Sequence, residues 1–416
     1  MHYFYTKDKY LYCEGLKVAD ITVKYGTPLY LYSHRTISEH FTKIDDAFSA
    51  VPHLICYALK ANSNLAIVKT LQKLGAGADI VSGGELYKAL KAGIPAKKIV
   101  YAGVGKTEAE IEYALSKDIL MFNIESVPEA EMISKVAGRL RETADIALRI
   151  NPDVDAKTHH YITTGKKENK FGLNINLARK LFLKINGFKN LNVVGVHIHI
   201  GSQITTSGPY VKAIKKVIKL IGELRSDGII IKSLNIGGGL GIVYKDENPS
   251  TPKKFAEKIL PLIKPLGIRI IMEPGRFIVG NAGILVARVS YIKKGENKKF
   301  IILDAGMNDL IRPSLYDAYH KILPVTPVKG SSKADIVGPI CESGDFFGKG
   351  RVVSNMKPGD YIAVMSAGAY GFSMASNYNA RRRPVEVMVK GKKSFLVKKR
   401  ESFEDLVRGE IMPEGL

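Results

Sequence analysis

Residues 55–102 read ICYALKANSNLAIVKTLQKLGAGADIVSGGELYKALKAGIPAKKIVYA. Three short runs in this stretch, 55–59, 78–81 and 98–102, have the apolar and β-branched composition of strands. Between them, residues 64–73 and 84–92 have the spacing of apolar side chains that is typical of amphipathic helices. The alternation of short strands with longer helices predicts β/α units built on a parallel sheet.

The same alternation continues as far as residue 276. It contains these candidate strands, in chain order: 55–59, 78–81, 98–102, 120–124, 145–150, 193–199, 233–236 and 269–272. Eight consecutive units predict a (β/α)8 TIM-type barrel rather than an open doubly wound sheet. The segment between Asn151 and Leu191 is longer than the other connections and polar in its first half, so we interpret it as an active-site loop.

After Arg276 the pattern changes to an alternation of apolar and polar residues without intervening helices, in these stretches: 284–292, 300–303, 361–365, 385–389 and 395–397. This predicts a second, mostly antiparallel β-sheet domain. Residues 3–5 and 10–13 have the same pattern, so we expect the N-terminal strands to join it. The predicted organisation is 1–27 as N-terminal strands of the β domain, 28–276 as the barrel and 277–416 as the C-terminal β domain.

The composition is that of a globular protein, with 416 residues of which 45% are hydrophobic and 25% charged. No apolar run approaches the roughly 18 to 20 residues that a membrane helix needs. The N-terminal stretch carries charges and tyrosines where an export signal is uniformly apolar, so we expect a cytoplasmic enzyme. Cys13, Cys56 and Cys341 are too few and too scattered for a disulfide framework, and no CxxC pair is present to bind zinc.

The formal net charge of +22 raises the question of a nucleic-acid or anionic-lipid partner. The basic residues are spread along the whole chain, however, and their clusters are short and lack interleaved aromatic residues. We therefore predict neither a nucleic-acid nor a membrane partner, and interpret the charge as a solvated basic surface that favours anionic small molecules.

Polar residues and glycines lie in or just after the ends of six of the predicted barrel strands. They are Lys60, Asp79, Asn151, His199 with Ser202, the glycines at 237–239, and Glu273 with Arg276. In a (β/α)8 barrel the carboxyl ends of the strands form the active site. The sequence therefore predicts that these residues meet at one mouth of the barrel.

Lys60 has two interpretations, an amine nucleophile toward a carbonyl group or a surface lysine at the start of a loop. The three consecutive glycines form either a phosphate cradle or a plain tight turn, and Ser202 and Arg276 would add donors to a phosphate. Glu273 would either face a pyridine nitrogen or form an ion pair with Arg276. His197 and His199 share one face of a strand, but the remaining histidines supply no further ligand at a strand end. We predict no metal, and favour stacking of His199 on a cofactor ring.

In the C-terminal part, Cys341 lies in the loop CESGD, beside two acids and a glycine. Loops of this kind carry functional residues more often than core residues. For Cys341 a functional role and a buried structural role remain open, whereas Cys13 and Cys56 lie in strand-like runs and are predicted to be structural.

Together these motifs resemble the meso-diaminopimelate decarboxylases, in the alanine-racemase-like, fold type III group of pyridoxal 5'-phosphate (PLP) enzymes. The matching motifs, in family order and without a replaced position, are YALKAN at 57–62, DIVSGGEL at 79–86, HIHIGSQ at 197–203, GGG at 237–239, EPGR at 273–276, RPSLY at 312–316, CESGD at 341–345 and NYN at 377–379.

The resemblance implies that Lys60 holds PLP through its amine, that His199 stacks on the ring and that Glu273 pairs with the pyridine nitrogen. It implies that the cofactor site also includes Asp79, Ser202, Gly238, Gly239, Gly275, Arg276 and Tyr378. Substrate carboxylates would meet Arg276, Arg312 and Tyr316, and the amino-acid end of the substrate would meet Glu342 and Tyr378.

The implied reaction is decarboxylation of meso-2,6-diaminopimelate to L-lysine and CO2, the last step of lysine biosynthesis. The protonated pyridine ring would take up the electron pair, and Cys341 would protonate Cα. In the family, Cys341 and Glu342 come from the partner subunit, so the resemblance implies a homodimer with shared active sites.

Other reactions on the same fold remain alternatives. A decarboxylase for ornithine, arginine or carboxynorspermidine would have a cationic distal group, which an arginine at position 312 disfavours. An alanine racemase would need a tyrosine base in the second domain and differs in its C-terminal half. A non-catalytic PLP-binding protein would need neither the β domain nor Cys341.

Overall fold

The computed structural model describes residues 2–155 and 171–415. None of the described helices has the length and apolar composition that crossing a membrane requires. The predicted active-site loop lies between Asn151 and Leu191, and its residues 156–170 lie outside the described residues. Its described end contains the short strand Leu173–Asn174 and the helix Ile175–Asn186.

In the described part of the chain, parallel strands close into the predicted (β/α)8 barrel. The first strand, His53–Ala58, pairs with the second and also with the last, so the sheet has no free edge. Each strand overlaps a predicted one. In chain order they are His53–Ala58, Gly77–Ile80, Ile99–Tyr101, Met121–Ile124, Ala144–Asn151, Leu191–His197, Ser233–Asn235 and Arg269–Met272.

Helices follow the barrel strands, and several begin at a side chain that caps the first turn. Ser82 and Ser126 each accept a hydrogen bond from a backbone N–H three residues later, and Thr107 forms a reciprocal capping box with Glu110. The helices that follow strands are Leu65–Lys73, Gly83–Lys91, Glu108–Ser116, Val127–Leu140, Ile175–Asn186, Gly208–Ser226, Pro252–Ile263 and Arg276–Val279. The helix His34–Phe48 precedes the first barrel strand.

The second sheet is built around the long strand Gly283–Lys294, which pairs antiparallel with Lys299–Leu303, Tyr361–Val364 and Leu29–Ser33. Two strand pairs in this sheet are parallel, so it is mostly but not wholly antiparallel, as the sequence predicted. Its other described strands are Ile322–Pro324, Ser331–Val337, Phe346–Ser354, Val385–Lys390 and Lys393–Lys398. Short helices in this part of the chain are Val18–Tyr25, Arg312–Tyr316 and Phe403–Leu406.

The N-terminal strands Phe4–Lys7, Tyr10–Cys13 and Leu16–Lys17 form a small antiparallel sheet of their own. Their buried side chains, including Leu11 and Cys13, nevertheless pack into the same apolar core as the second sheet. The N-terminal strands thus join this β structure by core packing, because burial of their apolar face requires a covering layer.

Two compact units divide the chain. The barrel unit comprises Ser38–Val243 and Glu247–Ile278, and the β unit comprises Met1–Ile37, Tyr244–Asp246 and Val279–Leu416. The strand Leu29–Ser33 belongs to the second sheet, although the sequence assigned residue 28 onward to the barrel. The sequence-based assignment was wrong for this strand because a buried strand that is followed at once by a helix has the same local pattern as a barrel unit.

The buried carboxyl group of Asp309 in the β unit makes stability depend on pH. Burial raises the pKa of Asp309 to about 7, although the backbone N–H of Gly306 and the charge of Arg381 oppose this shift. A carboxyl whose pKa is raised by folding stabilises the fold below its unfolded value of about 4, and this contribution is lost as the pH rises toward the folded value.

As the pH rises from about 4 to 7, we therefore expect the free energy of unfolding to fall less in Asp309→Asn than in the wild type. The difference between the two slopes is at most about 1.4 kcal/mol per pH unit. Melting temperatures across this range measure the effect. The exposed Asp246, replaced in the same way, serves as the control. Parallel curves for Asp309→Asn and the wild type would contradict the prediction.

Candidate active site

Lys60 follows the first barrel strand directly, in the 3-10 turn Leu59–Ala61. Its Nζ lies 2.7 Å from Oδ2 of Asp79, whose side chain is completely buried, whereas the lysine side chain is 37% exposed. The two are brought together because Asp79 lies beside Ala58 in the register of the first two barrel strands. Lys60 is therefore an amine at the barrel mouth with a buried counter-ion, which the surface-lysine interpretation does not explain.

The Lys60–Asp79 pair sits in a strongly charged environment. Burial and the nearby Glu273 raise the pKa of Asp79, and Lys60 lowers it. Oδ1 of Asp79 is buried and has no hydrogen-bond partner among the described residues. Because a buried carboxylate without compensation is costly, Asp79 depends on Lys60 for its charged form.

Glu273 follows the eighth barrel strand, and three side chains hold its carboxylate. Oε1 accepts hydrogen bonds from Nδ2 of Asn123 at 3.0 Å and from Nδ2 of Asn235 at 2.6 Å. Oε2 lies 3.3 Å from Nε2 of His197, at an ion-pair distance but without hydrogen-bond geometry. Burial alone would raise the pKa of Glu273, but His197 and Lys60 hold it well below its usual value.

Arg276 is not the partner that holds Glu273. Its Nε and Nη2 lie 3.3 and 3.1 Å from Oγ of Ser202, so these two of its three guanidinium nitrogens point toward the loop after the sixth strand. Glu273, whose pKa His197 and Lys60 lower, and the donors of Arg276 and Ser202 are therefore two separate groups.

His199 lies two residues beyond the end of the sixth strand, and its Nδ1 accepts a hydrogen bond from the backbone N–H of Gly238 at 3.2 Å. Burial, reinforced by Arg149 and Lys60, lowers the pKa of His199 well below its usual value, so the ring is neutral. His197 instead is buried beside Glu273. Among the described residues, no group of three or more His, Cys, Asp or Glu side chains is arranged to hold a metal ion.

The glycines after the seventh strand allow three strand ends to approach closely. A Cβ on Gly238 would lie 2.2 Å from the carbonyl oxygen of Glu273, and one on Gly239 would lie 2.4 Å from that of Gly201. Gly237 and Gly239 also have positive φ angles, which glycine adopts without strain. The tight-turn interpretation therefore accounts for these glycines by itself, and the turn leaves backbone rather than side chains at this part of the mouth.

These groups match the chemical needs of PLP. An amine is available for its aldehyde, an ionised acid for its ring nitrogen, and a flat neutral imidazole for its ring face. The guanidinium and hydroxyl groups of Arg276 and Ser202, beside glycine backbone, are suited to its phosphate. The residues present in the barrel unit therefore fit this cofactor.

Sequence reasoning missed the side chains that hold Glu273. Asn123 and Asn235 are completely buried and were not among the predicted site residues, and His197 was weighed only as a metal ligand. The signal that would have found the two asparagines is a carboxamide inside an otherwise apolar barrel strand, in MFNI and SLN. A buried carboxamide needs a hydrogen-bond partner, so it indicates a polar group in the barrel interior.

The predicted residues of the β unit lie in exposed or half-exposed positions, except Arg312. Cys341 is exposed, which argues against a buried structural role, and its backbone N–H donates to Oδ1 of Asn379 at 2.8 Å. Glu342 is also exposed, as is Tyr378. The buried carboxylate of Asp345 holds the loop by accepting from the backbone N–H groups of Met307 and Ile340.

Arg312 begins a one-turn helix, Arg312–Tyr316, and its side chain is buried. Nη1 lies 3.0 Å from both the hydroxyl of Tyr244 and Nε2 of His320. Tyr316, at the end of the same helix, is partly buried. Within the helix, Ser314 donates to the carbonyl oxygen of Gly344, which connects the helix to the Cys341 loop.

Comparison with known proteins gives matches along the whole chain. Residues 34–280 match the family model described as the pyridoxal binding domain of pyridoxal-dependent decarboxylases. The chain is 49% identical over 418 residues to diaminopimelate decarboxylase of Vibrio cholerae, covering 100% of both chains. It is 50% identical to the enzyme of the same name from Aquifex aeolicus, covering 97% of this chain and 96% of the relative.

Solved structures agree with these relatives. A crystal structure of diaminopimelate decarboxylase from M. jannaschi is 41% identical, with a TM-score of 0.94 over 99% of this chain and 98% of that one. A structure of the Helicobacter pylori enzyme complexed with L-lysine is 46% identical, with a TM-score of 0.91 over 94% and 98% of the two chains. The barrel-mouth chemistry and these full-length matches agree, and the chain belongs to the diaminopimelate decarboxylase family of pyridoxal-dependent decarboxylases.

Proposed function

We propose that this protein removes CO2 from meso-2,6-diaminopimelate and releases L-lysine, the last step of lysine biosynthesis, with PLP as its cofactor. The observation that carries the proposal is the barrel mouth itself. There the amine of Lys60 lies 2.7 Å from buried Asp79, and the electrostatic environment of that pair includes the ionised Glu273. Two relatives that are 49% and 50% identical to this chain are both named diaminopimelate decarboxylase, which supports the proposed substrate.

In this proposal residues of the barrel unit, together with Tyr378 of the β unit, would hold the cofactor. Lys60 would form the covalent link, Asp79 would lie beside its nitrogen as a buried carboxylate, and His199 would cover the ring. Phosphate binding falls to Ser202, Gly238, Gly239, Gly275, Arg276 and Tyr378. When bound, PLP supplies an electron sink for the pair left on Cα as CO2 departs. Glu273 keeps a proton on the ring nitrogen, because its low pKa leaves it ionised and able to attract that proton.

Substrate recognition falls mainly to residues of the β unit. The substrate has a carboxylate at both ends, and we assign Arg276, Arg312 and Tyr316 to carboxylates and Glu342 and Tyr378 to the amino-acid end. A buried arginine favours a carboxylate over the cationic ends of ornithine, arginine or carboxynorspermidine. This preference separates the proposed reaction from related decarboxylations.

Cys341 is proposed to return a proton to Cα after CO2 has left. The Cα–carboxylate bond breaks, the proton passes from Sγ to Cα, and the thiolate then regains a proton from water. A thiol suits this step because its S–H can donate a proton to carbon and can later be restored from water. We assign Cys341 and Glu342 to the active site of a second subunit, so the working enzyme is a homodimer with shared sites.

The shared site predicts complementation between two inactive variants. We expect a mixed dimer of one Lys60→Ala chain and one Cys341→Ala chain to have about half of the wild-type activity, because one of its two sites has both residues intact. Co-expression of two differently tagged chains and purification through both tags supplies the mixed dimer. If Lys60 and Cys341 acted within one chain, every site would be defective and the mixed dimer would be inactive.

The direct test of the proposed reaction is CO2 release by the purified, PLP-loaded protein. Separate reactions contain meso-diaminopimelate, ornithine or arginine. Release from meso-diaminopimelate alone, with L-lysine as the second product, supports the proposal. Release from ornithine or arginine instead would refute the assignment of Arg312, and no release from any of them would favour a non-catalytic PLP-binding protein.

We also propose a cytoplasmic location and no nucleic-acid partner. Amino-acid biosynthesis consumes soluble small molecules, and a spread positive charge assists the approach of a dicarboxylate without a dedicated surface. Cell fractionation tests the location. Retention of the protein on DNA at physiological salt would contradict the second statement.

A further inference from the structure

A buried cluster in the β unit surrounds the guanidinium of Arg312. It consists of Arg312, Tyr244 and His320, and we call it the Arg312 cluster. All three side chains are at least nine-tenths buried, and His320 is completely so. The guanidinium carbon lies 4.8 Å from the ring centroid of Tyr244, and the His320 ring meets the Tyr244 ring edge-on at 5.4 Å.

Hydrogen bonds determine the protonation of His320. Nδ1 lies 2.8 Å from the carbonyl oxygen of Met365, which only accepts, so Nδ1 carries a hydrogen. Nε2 lies 3.0 Å from Nη1 of Arg312, and a guanidinium only donates, so Nε2 is the acceptor. The two partners together select one neutral tautomer, and this tautomer presents a lone pair to the arginine.

The same contacts determine the orientation of the arginine. Nη1 of Arg312 donates to Nε2 of His320 and to the hydroxyl of Tyr244, each at 3.0 Å, while the Tyr244 ring lies against the guanidinium plane. A planar guanidinium has its donors in a rigid fork, so fixing one nitrogen and one face fixes the direction of the other donors. Both of these acceptors are uncharged, and together they orient the guanidinium of Arg312.

We propose that His320 is a positioning residue for substrate specificity: it holds Arg312 in the orientation that receives the carboxylate at the non-reacting end of the substrate. This inference rests on the proposed function. That end of the substrate is unchanged by the reaction and is still present in L-lysine. His320 therefore acts on the binding of substrate and product through Arg312, and does not touch the bonds that break or form.

The test compares His320→Leu, which removes the acceptor, with His320→Gln, whose side-chain oxygen restores an acceptor near the position of Nε2. His320→Leu is expected to raise KM for meso-diaminopimelate roughly 10- to 100-fold, the effect of losing an oriented charged contact. We expect kcat to stay within about threefold of the wild type, because uniform binding is what is lost. His320→Gln should recover most of the lost affinity.

Two inhibitors of equal chain length make the test specific for the carboxylate. In both L-lysine and cadaverine a chain of five carbons joins the two amino groups, and only L-lysine adds a carboxylate. His320→Leu should raise the inhibition constant of L-lysine by the same factor as KM and leave that of cadaverine unchanged. His53→Leu is the matched control, since His53 contacts Val51 and Asp45 at the amino end of the first barrel strand.

Three outcomes would overturn the proposal: an unchanged KM in His320→Leu, equal weakening of L-lysine and cadaverine, or a fall in kcat alone. Failure of the proposed function is a different result, because the wild type itself would then release no CO2 from meso-diaminopimelate. Cofactor absorbance and melting temperature, measured for each variant, identify a variant that has lost its fold. If His320→Leu does not fold, His320→Gln and Tyr244→Phe carry the same comparison.

Discussion

Replacing Lys60 with alanine is expected to reduce CO2 release by at least about a thousand-fold, because removal of a covalent catalytic group eliminates the route rather than slowing it. The purified variant should also lack the yellow colour of covalently held PLP. Both losses have one cause, since Lys60 supplies the amine at the barrel mouth. Absorbance spectra and a CO2 assay on the same preparation measure them together.

A second variant separates the covalent role of Lys60 from its charge. Lys60→Arg retains a cation beside the buried Asp79, so it keeps the ion pair while removing the reactive amine. We expect it to be as inactive as the alanine variant and to melt closer to the wild type. Lys97→Ala is the control, since Lys97 forms an exposed ion pair with Asp118. Substantial turnover by either Lys60 variant would refute the cofactor assignment.

Replacing Cys341 with alanine is expected to lower turnover by about 100- to 10,000-fold while PLP remains bound and yellow. The thiol is assigned only to proton transfer, and the cofactor residues of the barrel unit are unchanged by the substitution. The exposed position of Cys341 indicates that the alanine variant retains its fold, because no core packing is lost. Steady-state kinetics and the cofactor spectrum of the same sample provide the measurement.

The neighbouring Ser343→Ala is the matched control for Cys341→Ala, since it changes an exposed side chain of the same loop. Cys13 and Cys56 are unsuitable as proton donors to the substrate. Both thiols are buried, and burial raises the pKa of each. An unchanged rate in Cys341→Ala would remove this residue as the proton donor. Loss of bound PLP would instead indicate that the loop helps to hold the cofactor.

The architecture was largely predictable because it depends on local patterns. Alternation of short apolar strands with amphipathic helices identifies β/α units, and a strand that is buried on both faces keeps that pattern wherever it lies. The predicted strand 269–272 agrees with the observed Arg269–Met272. The strand Leu29–Ser33 shows where prediction from local patterns fails. Five buried residues before a helix have the same pattern whether they pair within the barrel or with Gly283–Lys294.

Sequence by itself determined which chemical groups stand at the strand ends, because strand direction and connection handedness place every carboxyl end at one mouth. Only the tertiary structure decided what those groups are paired with. Glu273 accepts hydrogen bonds from Asn123 and Asn235 and lies beside His197, all on other strands, and His197 and Lys60 lower its pKa. Such pairings join residues far apart in the chain, and hydrogen bonding and burial of this kind arise only when the strands are assembled.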